Sequence, residues 1–222
     1  MIIRCIDFET TGIPTDDDKH AIVEIGWCDL EDGEVGIPDA VLCDPGRPIP
    51  HEAMAVHHIT DDDVAGADGT IGVLGTPEYF AAHFADFEKQ FFPTEVPFID
   101  TYKVALRLWP EATSHSLQFL RYHLGLDLIQ SSAMPPHRAA PDAYVCAALM
   151  LRIMETNRDK LDEMVRWSSG PALLPRLNFG KHKGSKWGDV PIDYLDWVAN
   201  KSDLGRDEKA NARHHLKLRA GS

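Results

Sequence analysis

Three β-like runs crowd the first 43 residues, and that density constrains the fold more than any other feature. Met1–Phe8 (MIIRCIDF) is a short apolar run that reads as a strand, broken by Thr10-Thr11-Gly12-Ile13-Pro14. Ala21–Leu30 (AIVEIGWCDL) is a second run, Glu31-Asp32-Gly33-Glu34 a turn, and Val35–Cys43 a weaker third strand. Asp-Gly between apolar runs signals a hairpin, so the chain should open as an antiparallel meander. Pro50–Val64 then holds short helical turns. Further on, short strands at Tyr79–Ala82 and Pro97–Asp100 alternate with helices expected over Phe84–Phe92, Thr101–Trp109, Ser114–Leu124 and Pro141–Glu155. Pro110 stops the second of these helices, Gly125 caps the third, and Pro141 suits the first position of the fourth. Strands alternating with helices make the class α/β with a mixed sheet.

A chain of 222 residues buries a sizeable core without staples. With 44% hydrophobic and 26% charged residues it is neither mostly disordered, nor collagen-like, nor a coiled coil. The net charge of −13 is unevenly spread: residues 171–222 carry +4 and residues 1–170 carry −17. An acidic body disfavours a broad phosphate-binding surface. It does not disfavour a small carboxylate site that meets phosphate through bound cations. The sign changes near Ser168-Ser169-Gly170-Pro171, which suggests a main domain over residues 1–168 and a small basic module over 169–222. That module contains an aromatic-bearing helix around Tyr194–Val198. Four cysteines without CxxC spacing fit a reducing cytoplasm better than a disulfide framework. No 18-residue apolar run and no secretory apolar core is present, so neither a membrane partner nor export is expected.

Asp7 and Glu9 sit at i and i+2 of the first strand. Period-two geometry puts both side chains on one face, roughly 6–7 Å apart along the strand, with Phe8 pointing the other way. Two carboxylates aimed at one place repel unless protons or cations neutralise them, and hard divalent cations take such oxygen ligands. Taken alone, the pair also fits a polar strand end in solvent. His137 lies in a Ser/Pro-rich loop and Asp142 five residues on, in the first turn of the Pro141 helix. Taken alone, these two also fit a solvated loop histidine and a helix-capping carboxylate.

Together the two pairs carry a resemblance. Asp7-Phe8-Glu9-Thr10-Thr11-Gly12 resembles the first motif of the DnaQ-like 3′→5′ exonucleases of the DEDDh group. His137-Arg138-Ala139-Ala140-Pro141-Asp142 resembles their third motif, and Ala82–Glu88 (AHFADFE) their second, usually Ala-His-Asn-Ala-any-Phe-Asp. Glu52–Thr60 resembles the stretch between the first two motifs. Order and spacing match over roughly residues 1–155, and Asp100–Pro110 with Phe179–Gly184 point to the exonuclease X subgroup.

The resemblance implies an RNase H-like fold, a five-stranded mixed sheet flanked by helices. It implies metal-dependent removal of mononucleotides from a DNA 3′ end, with short RNA as the rival substrate. It implies Mg²⁺ or Mn²⁺, two ions per site, held by Asp7, Glu9, Glu88 and Asp142, with His137 as general base in its neutral form. A nucleic-acid-binding protein with an impaired site is the alternative, because Phe84 stands where Asn is usual and Glu88 where Asp is usual. A homodimer is left open.

Asp86 competes with Glu88 for the second-motif ligand. On a helix, Phe84, Phe87 and Phe91 would share one face with Glu88 at its edge and Asp86 opposite, which favours Glu88. Thr10, Thr11 and Gly12 could present backbone to the terminal nucleotide. His57 matches a family position near the substrate. Glu24 reads as a buried structural acid and His83 as structural. In the tail, Lys181, His182, Lys183 and Lys186 beside Phe179 and Trp187 suit phosphates and unstacked bases, or equally a solvated loop over two core aromatics.

Overall fold

The computed structural model describes residues 1–15, 17–157 and 160–220. The opening meander is present: β1 (Ile2–Thr10) pairs antiparallel with β2 (Ile22–Glu31). The third run is split into β3 (Glu34–Val35) and β4 (Asp39–Leu42), both on β2. Gly36-Ile37-Pro38 makes the break, and a proline cannot donate to the ladder. Beyond β1, the strands β5 (Tyr79–Ala82) and β6 (Phe98–Asp100) add in parallel, giving the order β3-β2-β1-β5-β6. The mixed sheet is thus five positions wide, with six strands because one edge strand comes in two pieces.

Short helices α1 (His51–His57) and α2 (Asp61–Val64) follow the meander, and the single turn α3 (Glu88–Phe91) follows β5. Then come α4 (Thr101–Leu108), α5 (Leu117–His123), α6 (Ala139–Asn157) and α7 (Leu161–Ser169). The chain ends in α8 (Ile192–Asn200) and α9 (Arg206–Ala220). The helix expected over Phe84–Phe92 is reduced to α3. Residues 83–87 wrap round the end of β5 instead, with Phe84 at φ +70°. Pro141 sits inside the first turn of α6, where its missing N–H costs nothing. The sequence pattern did not suggest α7 or α9. Helix α9 buries only Asn211 and Ala212, so it lacks an apolar stripe to read. Among the described residues, no helix is long and apolar enough to cross a membrane.

The sheet has a core on each face. Odd residues of β1, Ile3 and Cys5, pack with Cys28, Leu30 and the α6 side chains Val145, Cys146, Leu149 and Ile153. Even residues, Ile6 and Phe8, pack on the other face with Phe80, Phe98 and Leu74. A separate cluster of Leu177, Trp187, Val190, Leu195, Val198 and Ala212 holds the C-terminal segment together. Trp187 is therefore core, and only the core reading of that tail aromatic survives.

Candidate active site

The face of β1 that carries Ile3 and Cys5 continues as Asp7 and Glu9. Their partners on β2 are Gly26 and Glu24. Gly26 has no room for a side chain: a Cβ would lie 2.1 Å from the carbonyl carbon of Ala139. Its absence lets the first turn of α6 rest directly on the sheet. That contact delivers Asp142 to the strand carboxylates, and Asp7, Glu9 and Asp142 each offer an oxygen within 4.8 Å of the others.

The loop that carries His137 is held from both sides. The His137 backbone N–H donates to Asp142 Oδ2 at 2.8 Å, and the Gln118 side-chain amide donates to Oδ1 at 2.7 Å. Glu24 is indeed a buried structural acid. It accepts from the Arg138 guanidinium at 2.5 and 3.0 Å and from the Ala139 N–H at 2.9 Å. His137 itself has φ +61° and faces the same cleft as Asp7 and Asp142, exposed at its mouth. Sequence reasoning missed Gln118 and the role of Arg138. Gln118 lies 24 residues from Asp142, and no local pattern marks it.

The second-motif carboxylates separate cleanly. Glu88 is 3% exposed and lines the cleft with Asp7. Among the described residues, its Oε2 has no hydrogen-bond partner. Asp86 has a 60% exposed side chain and pairs with the buried Lys103 ammonium at 2.7 Å. The inward and outward assignment stands, but not through the expected helical phase. Phe84 precedes the helix and is exposed at the rim, whereas Phe91 packs against the Phe80 and Phe98 cluster and Phe87 lines the cleft. A non-glycine residue at that φ costs of order 1–2 kcal/mol.

Electrostatics mark the cluster as unsatisfied. Burial pushes the Asp7 carboxyl well above its usual range, and Glu9, Asp142 and Glu88 push it further. Glu9 is raised to about 8, first by burial and then by Asp142 and Glu24. Burial also raises Glu88 strongly. Asp142 rises by burial too, against the His137 amide and the Gln118 amide. Three oxygen donors converge and repel one another, and Glu88 Oε2, without a hydrogen-bond partner among the described residues, lies in the same cleft. That donor chemistry fits a hard divalent cation, which would replace the protons.

The Thr10–Gly12 loop lines one end of the cleft. The Thr10 hydroxyl donates to the Gly12 carbonyl at 2.9 Å, and the Thr11 N–H to the Ala21 carbonyl at 2.8 Å. These groups shape the loop, so the Thr11 amide is already engaged. Gly12 is needed: its φ is +150°, and a Cβ would come within 2.6 Å of the His20 ring. His57 lies buried in the cleft wall, its Nδ1 accepting from the Ile59 N–H at 3.0 Å, and burial lowers its pKa. His83 is structural, its ring nitrogens on the Thr101 hydroxyl and the His115 carbonyl. Lys181 and Lys183 are not brought to the cleft. Lys181 lies over the Tyr194 ring, and Lys183 borders a separate cavity near His115. Lys186 is held by Glu111 at 2.7 Å.

Sheet order and carboxylate cluster together define a nuclease of the RNase H-like fold. A family model described as an exonuclease of the RNase T type matches residues 5–76. Exodeoxyribonuclease 10 of Escherichia coli (strain K12) is 33% identical over 97% of this chain and 99% of its own length. DNA polymerase III subunit epsilon of Treponema pallidum (strain Nichols) is 26% identical over 78% of this chain and 86% of its own. A solved structure of exonuclease X in complex with 5′ overhanging duplex DNA matches with a TM-score of 0.64 and 34% identity, over 75% of this chain and 99% of that one. The chain belongs to the DnaQ-like 3′→5′ exonuclease family, together with exonuclease X. That family uses divalent metals, and the acidic cluster for them is present here.

Proposed function

We propose that this chain is an exodeoxyribonuclease that releases mononucleotides from DNA 3′ ends, with Mg²⁺ or Mn²⁺ as cofactor and two ions per site. The observation that carries the reading is the convergence of Asp7, Glu9 and Asp142 oxygens within 4.8 Å at the floor of an open cleft. The names of the relatives, an exodeoxyribonuclease and a DNA-bound exonuclease X, favour DNA over RNA.

Asp7, Glu9 and Asp142 would hold the ions, with Glu88 supporting them from the cleft wall, and would thereby bring positive charge to the scissile phosphate and a more acidic attacking water. His137 accepts that water's proton on a neutral ring nitrogen as the water oxygen bonds to phosphorus and the bond to the penultimate 3′ oxygen breaks. The Asp142–His137 amide bond and the Glu24–Arg138 clamp keep the histidine loop in register with the carboxylates. Thr10, Thr11, Gly12 and His57 shape the pocket for the terminal nucleotide. Lys181 and Lys183, exposed on the 169–222 module, meet phosphates farther along the strand. All four cysteines are unpaired, in keeping with a reducing cytoplasm.

Incubation of 3′- and 5′-labelled DNA and RNA oligonucleotides with Mg²⁺, Mn²⁺ or EDTA tests this. The expected result is metal-dependent shortening of DNA from its 3′ end. Cleavage that persists in EDTA, or that starts at the 5′ end, overturns the reading.

A further inference from the structure

Phe84 is a large apolar side chain that the fold leaves 48% exposed at the mouth of the carboxylate cleft. Its φ is +70°, a conformation that Gly or Asn adopts without strain. A turn that needed only this backbone shape would not require an aromatic ring there. The ring stacks on Tyr102, at 3.9 Å between centroids and 26° between planes. It also meets the edge of His83 at 5.1 Å. His83 is pinned by the Thr101 hydroxyl at 3.0 Å and the His115 carbonyl at 2.8 Å, so the ring rests on fixed ground. Tyr102 covers one face of Phe84.

Phe84 borders two spaces. One is the cleft with Asp7, Glu88 and His137. The other is a groove of about 510 Å³ between the body and the C-terminal segment. That groove carries Asp86, Asp100, Asp207 and Glu208 against Lys103 and Arg206. Its excess of carboxylates repels a phosphate track, whereas an uncharged base lies on an aromatic face whatever its sequence.

We propose that the Phe84–Tyr102 stack is a base-binding shelf. It takes, face to face, an unstacked nucleobase flanking the scissile phosphate of a single-stranded 3′ end. The proposal rests on the exonuclease reading of the cleft and adds a residue that selects for unpaired ends. A base inside a duplex is covered on both faces, so the penultimate base of a paired end must be unstacked before the shelf can take it.

The test uses single-stranded DNA with 2-aminopurine at the terminal or penultimate 3′ position. It is titrated in Mg²⁺ with protein carrying Asp7→Asn, so that no turnover intervenes. The same titration is repeated with Phe84→Asn, Phe84→Ala or Tyr102→Ala added. Asn suits the positive φ, so Phe84→Asn keeps the turn. Binding should quench the fluorophore at one of the two positions. Both Phe84 variants should lose that quench and bind about tenfold more weakly. An abasic nucleotide at that position should weaken binding by a similar factor, and should cost nothing further once Phe84 is Asn. No quench at either position, an undiminished quench in Phe84→Asn, or losses that simply add each overturn the shelf. Native protein that shows the quench yet cuts no oligonucleotide in Mg²⁺ overturns the exonuclease reading and leaves the shelf standing.

Discussion

Gly26 stands directly opposite Asp7 in the β1–β2 ladder, and the backbone of Ala139 fills the space its side chain would need. Strand and helix therefore meet at the one point where a strand carboxylate must face a helix carboxylate. Gly26→Ala should push the first turn of α6 off the sheet and draw Asp142 away from Asp7. Overpacking of this kind typically costs about 1–3 kcal/mol. Turnover should fall by more than the loss of folded protein explains. Thermal unfolding and oligonucleotide cleavage of the same preparation separate the two effects. Gly72→Ala is the control, since its added Cβ finds only the Thr70 hydroxyl at 3.6 Å.

Glu24 holds the segment that follows His137, through the Arg138 guanidinium and the Ala139 N–H. Glu24→Ala leaves the Ala139 N–H and the Arg138 guanidinium without their acceptor, which should cost about 1–3 kcal/mol. Arg138 is more than a third exposed, which tempers the ion-pair share. Turnover should drop as His137 loses its position. Combined with His137→Ala, the loss should be clearly less than additive, because both changes remove the same aligned base. Glu24→Gln, which keeps one acceptor oxygen, should recover part of the rate. Strictly additive losses would assign Glu24 to the fold alone.

What was legible in the sequence follows physical range. Asp7 and Glu9 were legible because strand periodicity is strict, so alternate residues share a face whatever the remaining fold. Asp142 was legible from its helix start and from the motif around it. Gln118 was not, because its bond to Asp142 exists only once α5 and α6 pack together. The second motif shows the opposite failure. Glu88 was placed correctly by a helical phase that the chain does not have at Phe84, since tertiary contacts at His83 hold that segment as a turn. In the tail, composition alone could not tell a buried Trp187 from an exposed one. Packing on Val190, Leu195 and Ala212 decides it.

The carboxylate cluster sets a pH dependence of stability whose sign metal should reverse. Without metal, folded Glu9 releases its proton only near pH 8, whereas the unfolded side chain does so near 4.5. Between those values the folded state binds more protons, so stability is greatest at the acid end of the window and falls as pH rises. The slope from one such group is at most about 1.4 kcal/mol per pH unit. Mg²⁺ binds the deprotonated cluster, so its stabilisation should grow with pH. Thermal melts from pH 5.5 to 8.5, in EDTA and in Mg²⁺, should therefore diverge. Asp7→Asn should flatten the EDTA slope, shrink the Mg²⁺ shift and depress cleavage by orders of magnitude. A Mg²⁺ shift that is independent of pH would show that metal does not bind these carboxylates.

Asp86 and Glu88 should respond to substitution in opposite currencies. Asp86 holds the buried Lys103 ammonium, which also donates to the Ser168 carbonyl at 3.1 Å. Asp86→Ala should therefore cost stability, about 1 kcal/mol after allowance for its exposure, while leaving turnover nearly intact. Glu88 is a buried carboxylate whose Oε2 has no hydrogen-bond partner among the described residues. Glu88→Gln keeps the shape and removes the charge, so it should not destabilise the metal-free fold. It should lower metal affinity and turnover by ~10–100-fold, as expected for a group that supports the ions. Glu88→Asp shortens the reach by one methylene and should retain measurable activity, because the charge stays in the cleft. Melting temperature, Mg²⁺ titration and cleavage on one labelled oligonucleotide distinguish the variants. A dead Asp86→Ala beside a fully active Glu88→Gln would mean that the carboxylate serving the metal comes from the exposed side of this turn.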